Sequence, residues 1–414
     1  MTSGLNLLRN REFRGLLVAQ VAGELGDNVA RVALASLVLA RTDSAFLAVL
    51  AFVVSWVPAV LGAAVLGGVA DRFPRKVVLI GCDLARAVVV GVLALVAVDA
   101  TPVWLLLGLL LVAETFTAPF ESAQRSVLPD VLPDPRDCLA GSGLLRVMHQ
   151  VDQVVGIVLA GAVIVLSGER AALLLDVVTF LVSAAVVART MRWRPAAGAG
   201  EKGGARRTAL HDVRAGWRTV FDDPTLRALV LLGWGAAVVI IAPEAVALAY
   251  ARFQGADPAV GAALMAAAPA GAAVSAWWIG RREPMSQVRA IIPLAVGACL
   301  PLLATSAAPP WPVALVLWLL SGACQGFMVP LLTTVNLVTP GHLRGRVNGL
   351  AGGGFALVTG STLLAAGAVA DLTSPAVAVT LAGALGLLLV GAAHRTWPSA
   401  SLRRTTEELY RLQA

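Results

Sequence analysis

Residues Gly67-Gly68-Val69-Ala70-Asp71-Arg72-Phe73-Pro74-Arg75-Lys76 are a dense patch of charge in a chain that has little charge elsewhere. Uncharged residues 45–69 lead into the patch, and residues 77–98, almost all apolar, lead out of it. Each run is near the ~20 residues a helix needs to cross a hydrocarbon core. A short charged turn between two such runs returns the chain to the membrane from the face it has just reached. That arrangement predicts a polytopic membrane protein.

The same pattern repeats along the chain. Of its 414 residues 58% are hydrophobic and 14% charged, with a mean hydropathy of +0.81. Soluble domains carry about 25% charged residues, so a soluble fold is excluded. Apolar runs divided by charged or Pro/Gly breaks predict twelve spans. Six lie near 15–40, 45–69, 77–98, 103–124, 139–166 and 171–190. The other six lie near 226–250, 258–280, 288–306, 312–334, 346–370 and 376–393. None shows the alternating period of barrel strands, so the fold class is all-α. The expected domains are a six-helix half at 1–190, a cytoplasmic linker at 191–225, a second six-helix half at 226–393 and a cytoplasmic tail at 394–414. Residues His211 to Phe221 space Val213, Trp217 and Val220 as an amphipathic surface helix does, which predicts an interfacial helix ending the linker.

Charge sets the orientation. With both termini cytoplasmic, only Arg41, Arg170 and Arg252 fall outside and only Arg31, Arg86 and Arg146 lie within spans. The remaining Lys and Arg side chains fall inside, as the positive-inside rule requires. Arg9, Arg11 and Arg14 precede the first span without a small-residue cleavage site, so this start reads as a cytoplasmic tail before a retained helix. The net charge of +7 is therefore assigned to the membrane and not to nucleic acid. Cys82, Cys138, Cys299 and Cys324 lie in or beside apolar segments without metal-like spacing and read as free buried thiols.

The opening stretch, written Gly67-x-x-x-Asp71-Arg72-x-x-Arg75-Lys76, resembles the cytoplasmic signature of the major facilitator superfamily, with Pro74 where that family usually has Gly. Asn10-Arg11-Glu12-Phe13-Arg14, Glu24-Leu25-Gly26-Asp27, Asp83-Leu84-Ala85-Arg86 and Arg344-Gly345-Arg346-Val347-Asn348-Gly349 are similar to its bacterial drug-efflux branch, the drug:proton antiporters. The resemblance covers essentially the whole chain. It implies two pseudo-symmetric six-helix halves working by alternating access. It also implies a latch of Gly67, Gly68, Asp71, Arg72, Arg75 and Lys76 that joins the halves on the cytoplasmic side. The plainer alternative is that Arg72, Arg75 and Lys76 are only topology anchors, and the latch is the reading preferred over it. The second-half counterpart, Gly280-Arg281-Arg282, has no Asp beside it, so any latch is expected to be asymmetric. Antiporters of this branch usually carry Gly-Pro-x-x-Gly-Gly in helix five; here Gly156-Ile157-Val158-Leu159-Ala160-Gly161 lacks the Pro.

Ionisable residues inside a membrane are costly and mark function by default. Glu24, Asp27 and Arg31 share a face of span one, where Asp27 is expected either to pair with Arg31 or to couple to a proton or cation. Glu114 in span four has no sequence-local partner and is the second proton candidate, whereas Glu121 has Arg125 beside it. Arg146, His149, Gln150 and Gln153 form a polar stripe on span five. Asp152 lies off that stripe and is expected to meet Arg86 or Arg31. Proton coupling is thus sought among Asp27, Glu114, Glu24 and Asp152, with Arg31, Arg86 and Arg146 as charge partners. Second-half spans are charge-poor, with Glu244, Gln325 and Asn336 as the polar points and Trp234, Trp277, Trp278, Phe327 and Phe355 as aromatic surface or interfacial anchors. His149, Gln150, Gln153, Trp234, Gln325, Phe327 and Phe355 are the cavity candidates, in a pocket whose apolar second wall suits an amphipathic or hydrophobic molecule.

No phosphate-binding loop, metal-ligand spacing or nucleophile–base pair is present, so no cofactor or metal is called for and enzyme chemistry is not expected. The reading is a monomeric exporter of hydrophobic or amphipathic small molecules in the bacterial inner membrane, coupled to protons and in contact with membrane lipids. The alternatives are a lipid or lysolipid transporter, an uncoupled facilitator and, from another class, a membrane-bound transferase.

Overall fold

The structure, a computed structural model, describes residues 7–65, 73–98, 100–194, 217, 219–339 and 343–395. All regular structure among them is helical. Helix α1 spans Arg11–Thr42, α2 Ala45–Val65, α3 Arg75–Val96, α4 Val103–Glu114, α5 Thr117–Val131 and α6 Pro135–Thr190. Then come α7 Pro224–Phe253, α8 Pro258–Ile279, α9 Pro284–Ala304, α10 Trp311–Cys324, α11 Met328–Val338, α12 Arg344–Leu372 and α13 Pro375–Arg395. Among the described residues nine helical stretches are long and apolar enough to cross a membrane. One of these, 136–190, is two spans joined at Gly168, whose φ of 81° and ψ of 169° are open to glycine and break the helix. With α1 and α2, twelve crossings result; α4–α5 and α10–α11 are each one interrupted span.

Acid–proline pairs start several of these helices. Asp134, Asp223, Asp257 and Glu283 each precede the proline that opens α6, α7, α8 or α9. Proline lacks the N–H that a first turn would leave unpaired, and the preceding acid can cap the next ones. Asp223 accepts from the backbone N–H groups of Thr225 and Leu226 at 2.7 and 3.2 Å. The fourth span runs on to Val131, past the expected end at 124, because Val127, Leu128 and Val131 pack into an apolar cluster with Phe13, Leu16 and Leu79.

The chain divides into two compact units, residues 1–201 with 257–262 and residues 202–256 with 263–414. In the first, α1 packs most extensively against α6. Small residues let them close: a Cβ on Gly15 would lie 2.0 Å from Thr190 Oγ1, and one on Gly156 2.6 Å from Asn28 Cβ. In the second unit, α7 packs on α12 and α13, and α9 on α10 and α13. There α8 meets α10 backbone to backbone, since a Cβ on Gly322 would stand 2.1 Å from the Ala268 carbonyl oxygen. Large apolar side chains such as Val88, Leu166, Leu357 and Leu388 lie exposed, as a chain solvated by lipid tails requires.

Candidate functional site

The helix packing of the first unit gathers charges that are far apart in sequence. Arg86, on α3 and 3% exposed, is the centre. It donates from Nη1 to Asp27 Oδ2 on α1 at 3.3 Å and from Nη2 to Asp83 Oδ1 at 2.9 Å. The rings of Phe180 and Phe120 lie 4.2 and 5.0 Å from its guanidinium carbon and close it off from the surroundings. Asp83 is fully buried and accepts a 2.5 Å hydrogen bond from Ser183 Oγ on α6. Asp27 is the most accessible of its carboxylates, with 16% of its side chain exposed.

Arg31 acts on Asp27 without pairing with it. Among the described residues it forms no ion pair with the Asp27 carboxylate, though it lies within electrostatic reach of it. Its Nε donates to the Asp27 backbone carbonyl at 3.2 Å and its Nη2 to Asn28 Oδ1 at 3.1 Å. Its carboxylate neighbour is Glu114, 4.0 Å away. Glu114 is buried where α4 ends and the span is interrupted, and its Oε2 also accepts from Thr117 Oγ1 at 3.2 Å. Thr117, three residues on, is a local partner that the sequence expectation did not include, and Arg31 is one that sequence proximity did not reveal. Asp176, on α6 and 1% exposed, is the residue sequence reasoning missed. It lies within electrostatic reach of Asp27, Arg86 and Glu114, and a Cβ on Gly26 would be 2.2 Å from its Oδ1. Its one visible signal was an acid in a span with no cation nearby in sequence.

A second polar group adjoins this one. Glu24 Oε1 accepts from Gln20 Nε2 at 3.0 Å, and His149 Nδ1 lies 3.1 Å from Glu24 Oε2. Gln20 in turn accepts from Gln124 Nε2 at 3.0 Å, a buried pair also absent from the sequence reading. His149 remains largely exposed; Arg146 and Gln150 are exposed, Gln153 half-buried, and no carboxylate pairs with Arg146 among the described residues. Asp152 departs from expectation. It is buried and forms no ion pair with Arg86 or Arg31 among the described residues. Its backbone carbonyl accepts from Asn28 Nδ2 at 3.3 Å, because the Gly156 contact draws α6 against α1 there. Glu121 pairs with Arg125 at 2.6 Å on the surface, as its spacing predicts.

The latch residues divide. Gly67, Gly68, Asp71 and Arg72 lie outside the described residues, as does most of the expected interfacial helix, of which Trp217 stacks on Phe221 with ring centroids 4.2 Å apart. Arg75 and Lys76 are engaged within their own unit. Arg75 pairs with Asp130, and Lys76 Nζ donates to the Ala188 and Met191 carbonyls at 2.7 and 2.8 Å. Asn10 caps α1 and its Nδ2 donates to the Val131 carbonyl at 2.9 Å. Glu12 takes both Nη1 and Nη2 of Arg194, at 3.0 and 2.8 Å. Partial burial pushes the Glu12 carboxyl up, but the Arg194 hydrogen bond, the Arg192 backbone N–H and both positive charges outweigh it, so it titrates below its ordinary value.

The second unit has a different interior. Gln325 and Phe327, expected on a cavity wall, are buried at the interruption of the tenth span, beside a small apolar pocket with Val239, Cys299 and Leu389. Gln325 Nε2 has no hydrogen-bond partner among the described residues. Trp234 is half-buried over Gly354, its indole N–H donating to the Ala351 carbonyl at 2.9 Å, and Phe355 is half-buried. Trp277 and Trp278 are exposed under Arg281 and Arg282, whose guanidinium carbons lie 3.5 and 4.1 Å from the ring centroids. This is the geometry of interfacial anchors. All four cysteines are free thiols, and among the described residues no three His, Cys, Asp or Glu side chains converge as metal ligands.

Twelve helical crossings with an ionic network buried in one half define a multi-pass membrane transporter. The family model of the Major Facilitator Superfamily matches residues 16–358, and the chain belongs to that family. It is a transporter of small molecules and not an enzyme. The multidrug efflux pump Tap of Mycolicibacterium fortuitum is 27% identical over 390 residues, covering 91% of this chain and 93% of that protein. The uncharacterized MFS-type transporter YkuC of Bacillus subtilis (strain 168) is 28% identical over 184 residues. That alignment spans 44% of this chain and 42% of YkuC, less than half of either. Among solved structures, the nucleoside transporter NupG matches with a TM-score of 0.68 at 14% identity, covering 94% of this chain and 100% of that chain. A bacterial homologue of the iron transporter ferroportin matches at 0.63 and 15% identity, covering 92% and 98%. At these identities the structural likeness speaks for the fold alone.

Proposed function

We propose that the chain exports hydrophobic or amphipathic small molecules in exchange for protons, by alternating access of the halves 1–190 and 226–393 about the linker 191–225. It works as a monomer in the bacterial cytoplasmic membrane with both termini inside. The observation that carries this reading is the charge balance of the buried network. Among the described residues, Asp27, Asp83, Glu114 and Asp176 oppose only Arg31 and Arg86. An uncompensated charge in a low-dielectric interior costs several kcal/mol, on the order of the penalty per buried ion, so the excess acid calls for a proton or a cationic cargo. Asp27 is its most accessible carboxylate and the natural point of exchange. The similarity to Tap supports the export direction, and the charge-poor second unit supports an apolar or amphipathic substrate. The latch, with Asp71 as its acid, remains part of this reading.

The test uses purified protein in liposomes with a trapped pH dye and an imposed proton gradient. Lipophilic cationic drugs are added to wild type, Asp27→Asn, Glu114→Gln and Asp176→Asn. Drug-triggered proton movement in wild type that is lost in Asp27→Asn is the expected result. Drug transport with no proton flux, unchanged in all three variants, overturns the coupling and leaves a facilitator or lipid transporter.

A further inference from the structure

At the end of the first unit that carries the chain's start, a polar cleft with about 450 Å³ of free space opens between the beginning of α1, the end of α5 and residues 189–194. Arg11, Arg189, Arg192 and Arg194 line it, with Glu12 and Asp130 as the acids. Both acids are already occupied. Glu12 is held by the Arg194 fork and by the Arg192 backbone N–H at 2.6 Å, and Asp130 by Arg75. The carbonyls at the end of α6, which would repel an anion, are covered by Lys76 at Ala188 and Met191. Three exposed guanidiniums are left over. Arg11 uses one N–H on the Arg189 carbonyl at 3.2 Å, while the Arg189 and Arg192 side chains bond to none of the described residues. Trp193, 65% exposed between Arg192 and Arg194, marks the depth. Exposed indoles next to span ends belong at the headgroup level.

We propose that this cleft binds the phosphate of an anionic phospholipid headgroup, gripped by the forks of Arg11, Arg189 and Arg192. Planar guanidiniums match phosphate oxygens in pairs, and basic pockets at span ends take anionic headgroups. A lipid and not a free phosphate is the ligand, because the span ends and Trp193 hold the site at the bilayer surface. The site stands independently of proton coupling.

Native mass spectrometry of the full-length protein, incubated in mild detergent with phosphatidylglycerol or phosphatidylcholine, tests it. Wild type should retain phosphatidylglycerol preferentially, and Arg189→Gln with Arg192→Gln should lower the affinity for it about thirtyfold, given roughly 1 kcal/mol per basic residue. Arg281→Gln with Arg282→Gln, removing the basic pair of the second unit, should leave it unchanged. Equal retention of the two lipids, or indifference to the first double variant, overturns the site. Displacement of the lipid by millimolar inorganic phosphate overturns the lipid assignment in favour of a soluble phosphate. If the double variant yields no folded protein, Arg192→Gln alone is read the same way, since that side chain bonds to no described residue.

Discussion

The fourth span of the first half and the tenth span, its counterpart by order in the second, both lose helical continuity about half-way along. In the first, α4 ends at Glu114 and α5 resumes at Thr117. In the second, a 3-10 turn at Gln325–Phe327 separates α10 from α11. Each interruption places one polar side chain inside its unit. Around Glu114 the neighbours are Arg31 and Thr117; around Gln325 they are Val239, Cys299 and Leu389. The same backbone device therefore serves a charge network in one unit and an apolar interior in the other. What differs is the chemistry supplied by neighbouring helices.

That contrast can be broken by experiment, and the largest effect is expected where backbones touch. Gly322→Leu forces a side chain against the Ala268 backbone, 2.1 Å from its carbonyl oxygen, and should abolish folded protein in fluorescence-detected size exclusion. Overpacking with freedom to relax costs about 1–3 kcal/mol, and here nothing can rotate away. Gly26→Ala in the first unit instead meets the Thr179 and Asp176 side chains, at 2.0 and 2.2 Å. It should fold, with a lowered melting temperature and weakened proton flux. Next in size is Arg86→Leu, which strands Asp27 and Asp83 and should cost about 3–5 kcal/mol in thermal stability. Adding Asp27→Asn and Asp83→Asn should restore part of it.

A sharper comparison sets Glu114→Gln beside Gln325→Leu. The first should reduce proton-linked transport. The second removes a buried amide whose Nε2 has no partner among the described residues, so it should leave flux intact and hold or raise stability by about 1 kcal/mol. Equal loss of flux in both would erase the distinction between the units. The smallest effect is expected at Glu12. Its folded-state value lies below the ordinary 4.5, so its contribution is present above that pH and fades as pH falls through the folded value. The melting-temperature difference between wild type and Glu12→Gln should accordingly shrink below about pH 4.5.

The candidate site was partly legible. Asp27, Glu114, Arg86 and Arg31 stood out because a charge in an apolar run is rare, and all four belong to the network. Their pairing was not legible. Asp27 and Arg31 share a helix face, yet Arg31 turns to a backbone carbonyl and to Glu114, and Asp27 is met by Arg86, 59 residues away. Asp176 went unnoticed for a related reason. Nothing near it in sequence hints at the glycines of α1 that admit its helix so closely.

The sequence by itself determined the spans, their helical nature and the residues that must be sheltered inside them. Bilayer thickness and the cost of unpaired backbone groups act locally, on every run of about twenty residues. Only the tertiary structure decided which charge answers which, and that two interrupted spans of similar design enclose opposite chemistry. Those outcomes depend on how closely helices distant in the chain approach, which small residues and side-chain shapes set together.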